Sequence, residues 1–146
     1  MNILFVCTGN TCRSPMAEAL ARKEGLECAS AGLAAPSGAP ASENATTVMD
    51  KLGISISGHK ARQVTKKMLD KFDLILTMTQ AHKSSIKALC PNKENVWTLG
   101  EYAGIPRDIP DPWGMDEHTY ESCANVLSEM IQQLKLKIEG KKKEDL

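Results

Sequence analysis

The sequence predicts an α/β fold, a single three-layer domain whose four-stranded parallel sheet, in the order 2-1-3-4, has helices on both faces. Three observations lead there. The chain has 146 residues, 42% of them hydrophobic, a usual size for one domain with one core. Its strand-like runs are apolar throughout, as in strands covered on both faces. These runs alternate along the sequence with segments of helical periodicity, which implies that the strands pair in parallel through right-handed crossovers.

Along the sequence, the first helix is predicted between the first two strands. Residues 2–6, NILFV, are typical of a central strand. The helix that follows is predicted to have Ser14 as its N-cap and Pro15 at its first helical position, and to stop at Gly25. The second strand is predicted over residues 27–31.

The middle of the chain supplies two more strands and two more helices. Ser42 is placed to cap a helix that ends at Gly53. Residues 72–78, FDLILTM, predict the third strand, residues 80–89 a helix, and residues 96–99 the fourth strand.

A long final helix is predicted from the apolar stripe between Tyr120 and Ile138. The segment 140–146, GKKKEDL, is expected to be a frayed tail. The whole chain, 1–146, is therefore expected to be one domain.

Composition narrows the possible partners and location. The 18 basic and 18 acidic residues create no global field, so neither nucleic acid nor an anionic membrane is an expected partner. No apolar run reaches the length of a membrane span. The cysteines are odd in number and scattered, unlike a secreted disulfide framework, which favours the reducing cytoplasm. We expect a monomer.

Residues 7–14, CTGNTCRS, join the first strand to the first helix, and we name them the phosphate loop. In such sheets ligands bind beyond the carboxyl ends of the strands. Free N–H groups and the helix dipole make this turn suitable for a phosphate dianion. Gly9 and Asn10 tolerate the left-handed conformations that let the amides converge. Arg13 supplies a planar fork for two phosphate oxygens.

Cys7 is placed to be a nucleophile. The helix N-terminus and the guanidinium stabilise a thiolate, and Ser14 can donate a hydrogen bond to it. Five residues separate Cys7 from Arg13, so the sulfur can lie at the floor of the cup and face phosphorus. This geometry predicts a phosphatase that works through a phosphocysteine intermediate, uses no metal or cofactor, and releases inorganic phosphate.

Other interpretations of the loop fit less well. It lacks the Lys-Ser/Thr ending of a nucleotide-binding loop and the three glycines of a dinucleotide-binding turn. Cys7 and Cys12 have no third metal ligand nearby, and the three histidines are too scattered to form a metal site or to be given a catalytic role. The remaining alternative makes both cysteines core filler and Arg13 a surface charge.

The segment from Val6 to Pro15 resembles the low-molecular-weight protein-tyrosine phosphatase family, whose signature is Val-Cys-x-Gly-Asn-x-Cys-Arg-Ser-Pro. Ser30-Ala31-Gly32, Asp73 and Asp111-Pro112 are also similar to the family, in the same order along the chain. The resemblance implies that Cys7 is the nucleophile, Arg13 the phosphate clamp, Ser14 the thiolate stabiliser and Asn10 the residue that keeps the shape of the loop.

The same resemblance makes Asp111 the general acid, and then the base that activates water. The residues alone do not single it out, because Asp108, Asp111 and Asp116 share one loop, where an aspartate is ordinarily a turn former or a helix cap. The residues then expected to bind substrate are Thr8, Gly9, Asn10, Thr11, Cys12, Ser14 and Trp113.

Two positions favour phosphorylated arginine on proteins as the substrate. Members directed at tyrosine usually have a bulky aliphatic residue in place of Thr11, and two aromatic residues after the Asp-Pro pair, where this chain has Trp113-Gly114. The Thr11 hydroxyl suits a guanidinium better than a phenyl ring. With residues 78–83, MTQAHK, these features resemble the protein-arginine-phosphatase branch. Trp113 is either a stacking surface or a packing residue.

Three alternatives stay open: a phosphotyrosine phosphatase, an arsenate reductase, and a non-catalytic phosphate-binding or redox-sensing module. Arsenate reduction would need two further cysteines as a resolving pair, and Pro15 stands where that related family has Gln. Within the phosphate loop, Cys7 and Cys12 could form a reversible disulfide that protects the nucleophile. Alternatively, Cys12 only packs behind the loop.

Overall fold

The computed structural model describes the backbone of residues 1–144 and the side chains of residues 1–140. The strands are β1 Asn2–Cys7, β2 Glu27–Gly32, β3 Leu74–Thr77 and β4 Val96–Thr98. The helices are α1 Arg13–Lys23, α2 Glu43–Lys51, α3 Lys66–Leu69, α4 Gln80–Leu89, α5 Leu99–Ala103 and α6 Glu117–Glu144. All pairings are parallel and the order is β2-β1-β3-β4, which confirms the predicted fold class and strand order.

The central strand β1 shows why the domain has three layers. Its side chains alternate between the two faces of the sheet, and all of them from Ile3 to Cys7 are almost completely buried. Ile3, Phe5 and Cys7 belong to a core with α1, α2, α5 and α6. Leu4 and Val6 belong to a second core with α3 and α4. Because both faces are covered, the strand is apolar throughout.

The parallel arrangement gathers the strand ends at one edge of the sheet. Cys7 ends β1, where it pairs with Gly32 at the end of β2. On the other side of β1, Met78 continues from β3 and donates its backbone N–H to the Val6 carbonyl (3.0 Å). The helices α1 and α4, which follow β1 and β3, therefore both start near this edge, on opposite faces of the sheet.

The start of α1 corrects the predicted cap. The helix begins at Arg13, with Cys12 at the N-cap position and no side-chain capping bond, whereas the sequence predicted Ser14 as the cap. Ser14 is already helical, and its hydroxyl is taken up by Cys7 instead. Pro15 is the third helical residue and not the first, as had been predicted, but it lies in the first turn, where its missing N–H removes no helical bond.

The other differences concern element ends and short helices. The third and fourth strands are shorter than predicted, and α3 and α5 were not predicted. Ser42 does cap α2, by accepting from the Ala45 N–H. The final helix continues to Glu144, and residues 145 and 146 of the expected tail lie outside the described residues. In the part of the chain that is described, no helix is long and apolar enough to cross a membrane.

Candidate active site

The Cys7 sulfur lies at the floor of the phosphate loop, and the residue is 2% exposed. The Ser14 hydroxyl lies 2.8 Å from it, and the Asn10 N–H donates to it at 3.3 Å. The Asn10 side-chain amide also donates to the Ser14 oxygen at 2.8 Å. That bond occupies the Ser14 oxygen as an acceptor and leaves its proton for Cys7. Both donors stabilise negative charge on the sulfur.

Asn10 determines the shape of the loop. It is fully buried and has a left-handed backbone, with φ of 56°, which asparagine tolerates better than most residues. Its amide group donates to the Ser30 hydroxyl (2.9 Å) and accepts from the Arg62 backbone N–H (2.9 Å). Its carbonyl accepts from His59 Nε2–H at 2.7 Å. The turn is thus held from β2 and from the segment that follows α2.

Arg13 is 4% exposed and already oriented for an anion. Its Nη1 donates to the Ile109 carbonyl at 2.9 Å, and its Nη2 lies 3.6 Å from Asp111 Oδ2. Its Nε is buried and has no hydrogen-bond partner among the described residues. Since a buried donor is rarely left unpaired, the Nε and Nη2 edge is suited to two oxygens of a bound phosphate.

The three aspartates of the 108–116 loop have different surroundings. Asp108 accepts from the backbone N–H at the start of α4, and Asp116 accepts from the first turn of α6. These are the turn and cap roles usual for loop aspartates. Asp111 accepts from the Trp113 N–H with one oxygen and faces Arg13 with the other, while its side chain is 49% exposed. It is the one whose carboxylate lines the pocket over Cys7.

The pocket above the sulfur has a volume of about 300 Å³. It is lined by Cys7, Thr8, Gly9, Thr11, Cys12, Arg13, Pro36, Asp111 and Trp113. Most of the predicted site residues therefore meet here, whereas Asn10 and Ser14 lie beneath the pocket and contact the sulfur. Trp113 is 72% exposed, so it is a surface at the mouth and not a packing residue.

Cys12 is almost completely buried and contacts residues behind the loop as well as lining the pocket. Its sulfur is 3.2 Å from the Tyr120 hydroxyl and donates to the Ser42 hydroxyl at 3.5 Å. Burial, and then the bond with Cys12, raises the pKa of Tyr120 to about 12, so the phenol stays protonated. Both Cys7 and Cys12 are free thiols in this structure. The reversible disulfide stays a prediction.

The other buried thiols are poorly suited to act as a resolving pair. Burial raises the pKa of Cys28 and of Cys123 to about 12, which keeps both protonated near neutral pH. Among the described residues, no three His, Cys, Asp or Glu side chains are grouped as metal ligands.

Two histidines that received no role from the sequence contact the phosphate loop. His59 holds Asn10, and His82 Nε2 lies 2.9 Å from the Thr8 hydroxyl. A signal for His82 was present: it lies in the first turn of the helix after β3, whose carboxyl end is beside that of β1. His59 comes from a loop far along the chain, and no spacing pointed to it.

A buried cysteine sulfur with two hydrogen-bond donors, an unpaired arginine edge and a carboxylate at the mouth form the arrangement expected of a cysteine-dependent phosphatase. The comparison with known proteins agrees. The chain belongs to the low molecular weight phosphotyrosine protein phosphatase family, whose model matches residues 2–144. The resemblance noted in the sequence is thereby confirmed.

Relatives of this chain differ in the substrate that their names state. A probable low molecular weight protein-tyrosine-phosphatase, EpsP of Ralstonia solanacearum, is 45% identical over 128 residues, which cover 86% of this chain and 87% of EpsP. The YwlE arginine phosphatase structure from Geobacillus stearothermophilus is 37% identical with a TM-score of 0.93, covering 98% and 96%. A YwlE cysteine-to-serine mutant with a phosphorylated active site serine has 35% identity and a TM-score of 0.90, covering 95% and 96%.

Proposed function

We propose that this protein phosphatase removes phosphate from arginine side chains of phosphorylated proteins. The observation that carries the proposal is the polar mouth of the pocket. The hydroxyl-bearing residues Thr8 and Thr11 and the Asp111 carboxylate line it, and among the described residues Pro36 is its only aliphatic side chain. A phosphoarginine guanidinium carries N–H donors that need such acceptors, whereas a phenyl ring gains nothing from them.

In the first step, the phosphoryl group enters the loop and two of its oxygens bind the Nε and Nη2 edge of Arg13. The Cys7 thiolate attacks phosphorus as the bond to the substrate nitrogen breaks. Asp111, in its protonated form, gives its proton to that nitrogen, so that the side chain leaves as a guanidinium. The products are the unmodified arginine side chain and a phosphocysteine.

In the second step, the Asp111 carboxylate takes a proton from a water molecule, which attacks phosphorus. The sulfur–phosphorus bond breaks and its electron pair returns to Cys7. The hydrogen bonds from Ser14 and from the Asn10 backbone, at 2.8 and 3.3 Å, stabilise this leaving thiolate. Inorganic phosphate departs, and Asp111 is protonated again for the next cycle.

The planar face of Trp113 supports the same substrate. It is exposed at the mouth beside Asp111, where a guanidinium can stack on it while its N–H groups meet the carboxylate. Phosphotyrosine is the second candidate, because Trp113 and Pro36 can also pack against a phenyl ring. The chemistry in the loop is the same for both substrates.

The test uses two peptides that are identical except for phosphoarginine or phosphotyrosine. We expect wild type to have the higher kcat/KM on phosphoarginine. Thr11→Val removes only the hydroxyl and should lower phosphoarginine turnover about fivefold, the value of one hydrogen bond. Thr11→Ile adds apolar surface and should shift the preference toward phosphotyrosine. Cys7→Ser is the inactive control.

A wild-type preference for phosphotyrosine would refute the arginine assignment and leave the tyrosine one. Turnover of neither peptide would favour the binding module or arsenate reduction. We further propose that the protein acts as a monomer in the cytoplasm, which the free, scattered cysteines support. Gel filtration at micromolar concentration tests the monomer.

A further inference from the structure

His82 is a buried histidine in contact with the phosphate loop. It lies in the first turn of α4, is 7% exposed, and its Nε2 is 2.9 Å from the Thr8 hydroxyl oxygen. Its Nδ1 is also buried and has no hydrogen-bond partner among the described residues. Nε2 therefore contacts the phosphate loop, whereas Nδ1 is buried and has no partner among the described residues.

This environment fixes the protonation of the ring. Burial, and then the nearby Arg13, lowers the pKa of His82 to about 4, although Asp111 and Asp108 act in the opposite direction. The imidazole is thus neutral at pH 7 and carries one N–H. A proton on Nδ1 would be a buried donor without an acceptor, which is rarer in proteins than a bare acceptor. Nε2 therefore carries the proton and donates it to Thr8.

Thr8 is held from both sides. Its carbonyl accepts from the Ala34 N–H at 2.9 Å, and its side-chain oxygen accepts from His82. Because that oxygen already accepts one bond, its own hydroxyl proton remains for a further acceptor. Thr8 follows Cys7 directly and lines the pocket above the sulfur, so an anion in the pocket is a candidate acceptor.

We propose that His82 is a positioning residue that fixes the Thr8 side chain so that its hydroxyl donates to an oxygen of the bound phosphoryl group. His82 itself touches neither the substrate nor the reacting atoms. The inference rests on the phosphatase chemistry, but not on whether arginine or tyrosine carries the phosphate.

The test compares His82→Leu, His82→Gln, Thr8→Val and the His82→Leu/Thr8→Val double variant. Leucine removes the ring donor, whereas the glutamine side-chain N–H can occupy the place of Nε2–H. For each protein, kcat and KM are measured on an aryl phosphate, and the Kd of inorganic phosphate is measured by calorimetry. Thermal unfolding of each variant separates loss of the bond from loss of folded protein.

We expect His82→Leu and Thr8→Val each to weaken phosphate binding and to lower kcat/KM about fivefold. The double variant should lose no more than either single one, because both remove the same bond. His82→Gln should stay within twofold of wild type. His118→Gln, at an exposed histidine in the first turn of α6, is the matched control and should behave as wild type.

Additive losses in the double variant, a glutamine variant as impaired as the leucine variant, or a leucine variant with normal phosphate binding would each overturn the inference. If His82→Leu does not fold, Thr8→Val and His82→Gln still decide it, by loss in the first and retention in the second. If wild type hydrolyses no phosphate ester, the phosphatase assignment fails, and the phosphate Kd values still decide the role of His82.

Discussion

Replacement of Gly32 by alanine is expected to displace the backbone of the phosphate loop and thereby lower activity. A Cβ at this position would lie 2.6 Å from the Thr8 carbonyl oxygen, 2.9 Å from the Asn10 nitrogen and 3.0 Å from the Gly9 carbonyl carbon. All three are backbone atoms of the phosphate loop, so no side-chain rotation relieves the clash. The φ angle of Gly32 is not in the left-handed region, and alanine causes no strain of its own there.

The size of the effect follows from these distances. Ordinary contact begins at 3.4 Å, so the Thr8 carbonyl has to move by about 0.8 Å. Misplacement by about 1 Å costs on the order of a hundredfold in rate, and we expect kcat/KM to fall between about ten- and a hundredfold. Overpacking should also cost about 1–3 kcal/mol in the free energy of unfolding.

The assay is kcat/KM on an aryl phosphate, with Tm and urea unfolding on the same samples. Gly58→Ala is the matched control, since a Cβ there meets nothing within 4 Å and its φ is not positive. It should keep wild-type activity. A Gly32→Ala protein with activity within twofold of wild type would refute the reasoning, whether or not its Tm falls, because the loop would then not have been displaced.

Three further predictions concern other parts of the molecule. Asp111→Asn should lower kcat at least a hundredfold in steady-state assays, because the leaving group loses its proton donor; a loss below threefold would contradict this. His82 has its pKa lowered to about 4, so the unfolded chain binds more protons between that pH and 6.5. The contribution of His82 to the free energy of unfolding should be fully present above pH 6.5 and be lost, by up to about 3 kcal/mol, as the pH approaches 4; urea unfolding of wild type and His82→Gln measures it as the difference between the two pH profiles. Leu76→Ala, at a fully buried position, should cost about 2–5 kcal/mol in urea unfolding, while Leu136→Ala, at a side chain that is 60% exposed, should cost less than about 0.5 kcal/mol.

The parts of the structure that local patterns encode were predictable from the sequence. A strand that is apolar throughout, such as β1, is typical of burial on both faces of the sheet. The phosphate loop consists of consecutive residues, from Cys7 to Ser14. The strand order 2-1-3-4 is the one expected when right-handed crossovers reverse their winding direction beside the first strand. The capping box of Thr98 and Glu101, which starts α5, is likewise encoded locally as a Thr-x-x-Glu pattern.

The supports of the loop were not predictable, because they come from distant segments. Asn10 is bound by Ser30, Arg62 and His59, which lie 20, 52 and 49 residues away in sequence. No local spacing relates such residues. The predicted N-cap at Ser14 was wrong because a serine before a proline is a common cap, and only the fold shows that Ser14 already lies inside the helix. Its hydrogen bond to Cys7 was expected from the sequence.

Asn10 is held by Ser30, His59 and Arg62, which are not among the described residues that line the pocket, and this has an evolutionary consequence. The apparatus that grips phosphate is braced from inside the domain, whereas Thr11, Pro36 and Trp113 stand at the mouth, apart from that bracing. Substitutions at the mouth can accumulate without loosening the grip. A lineage built this way can exchange one phosphorylated amino acid for another while its reaction stays the same, as the differing names of its relatives suggest.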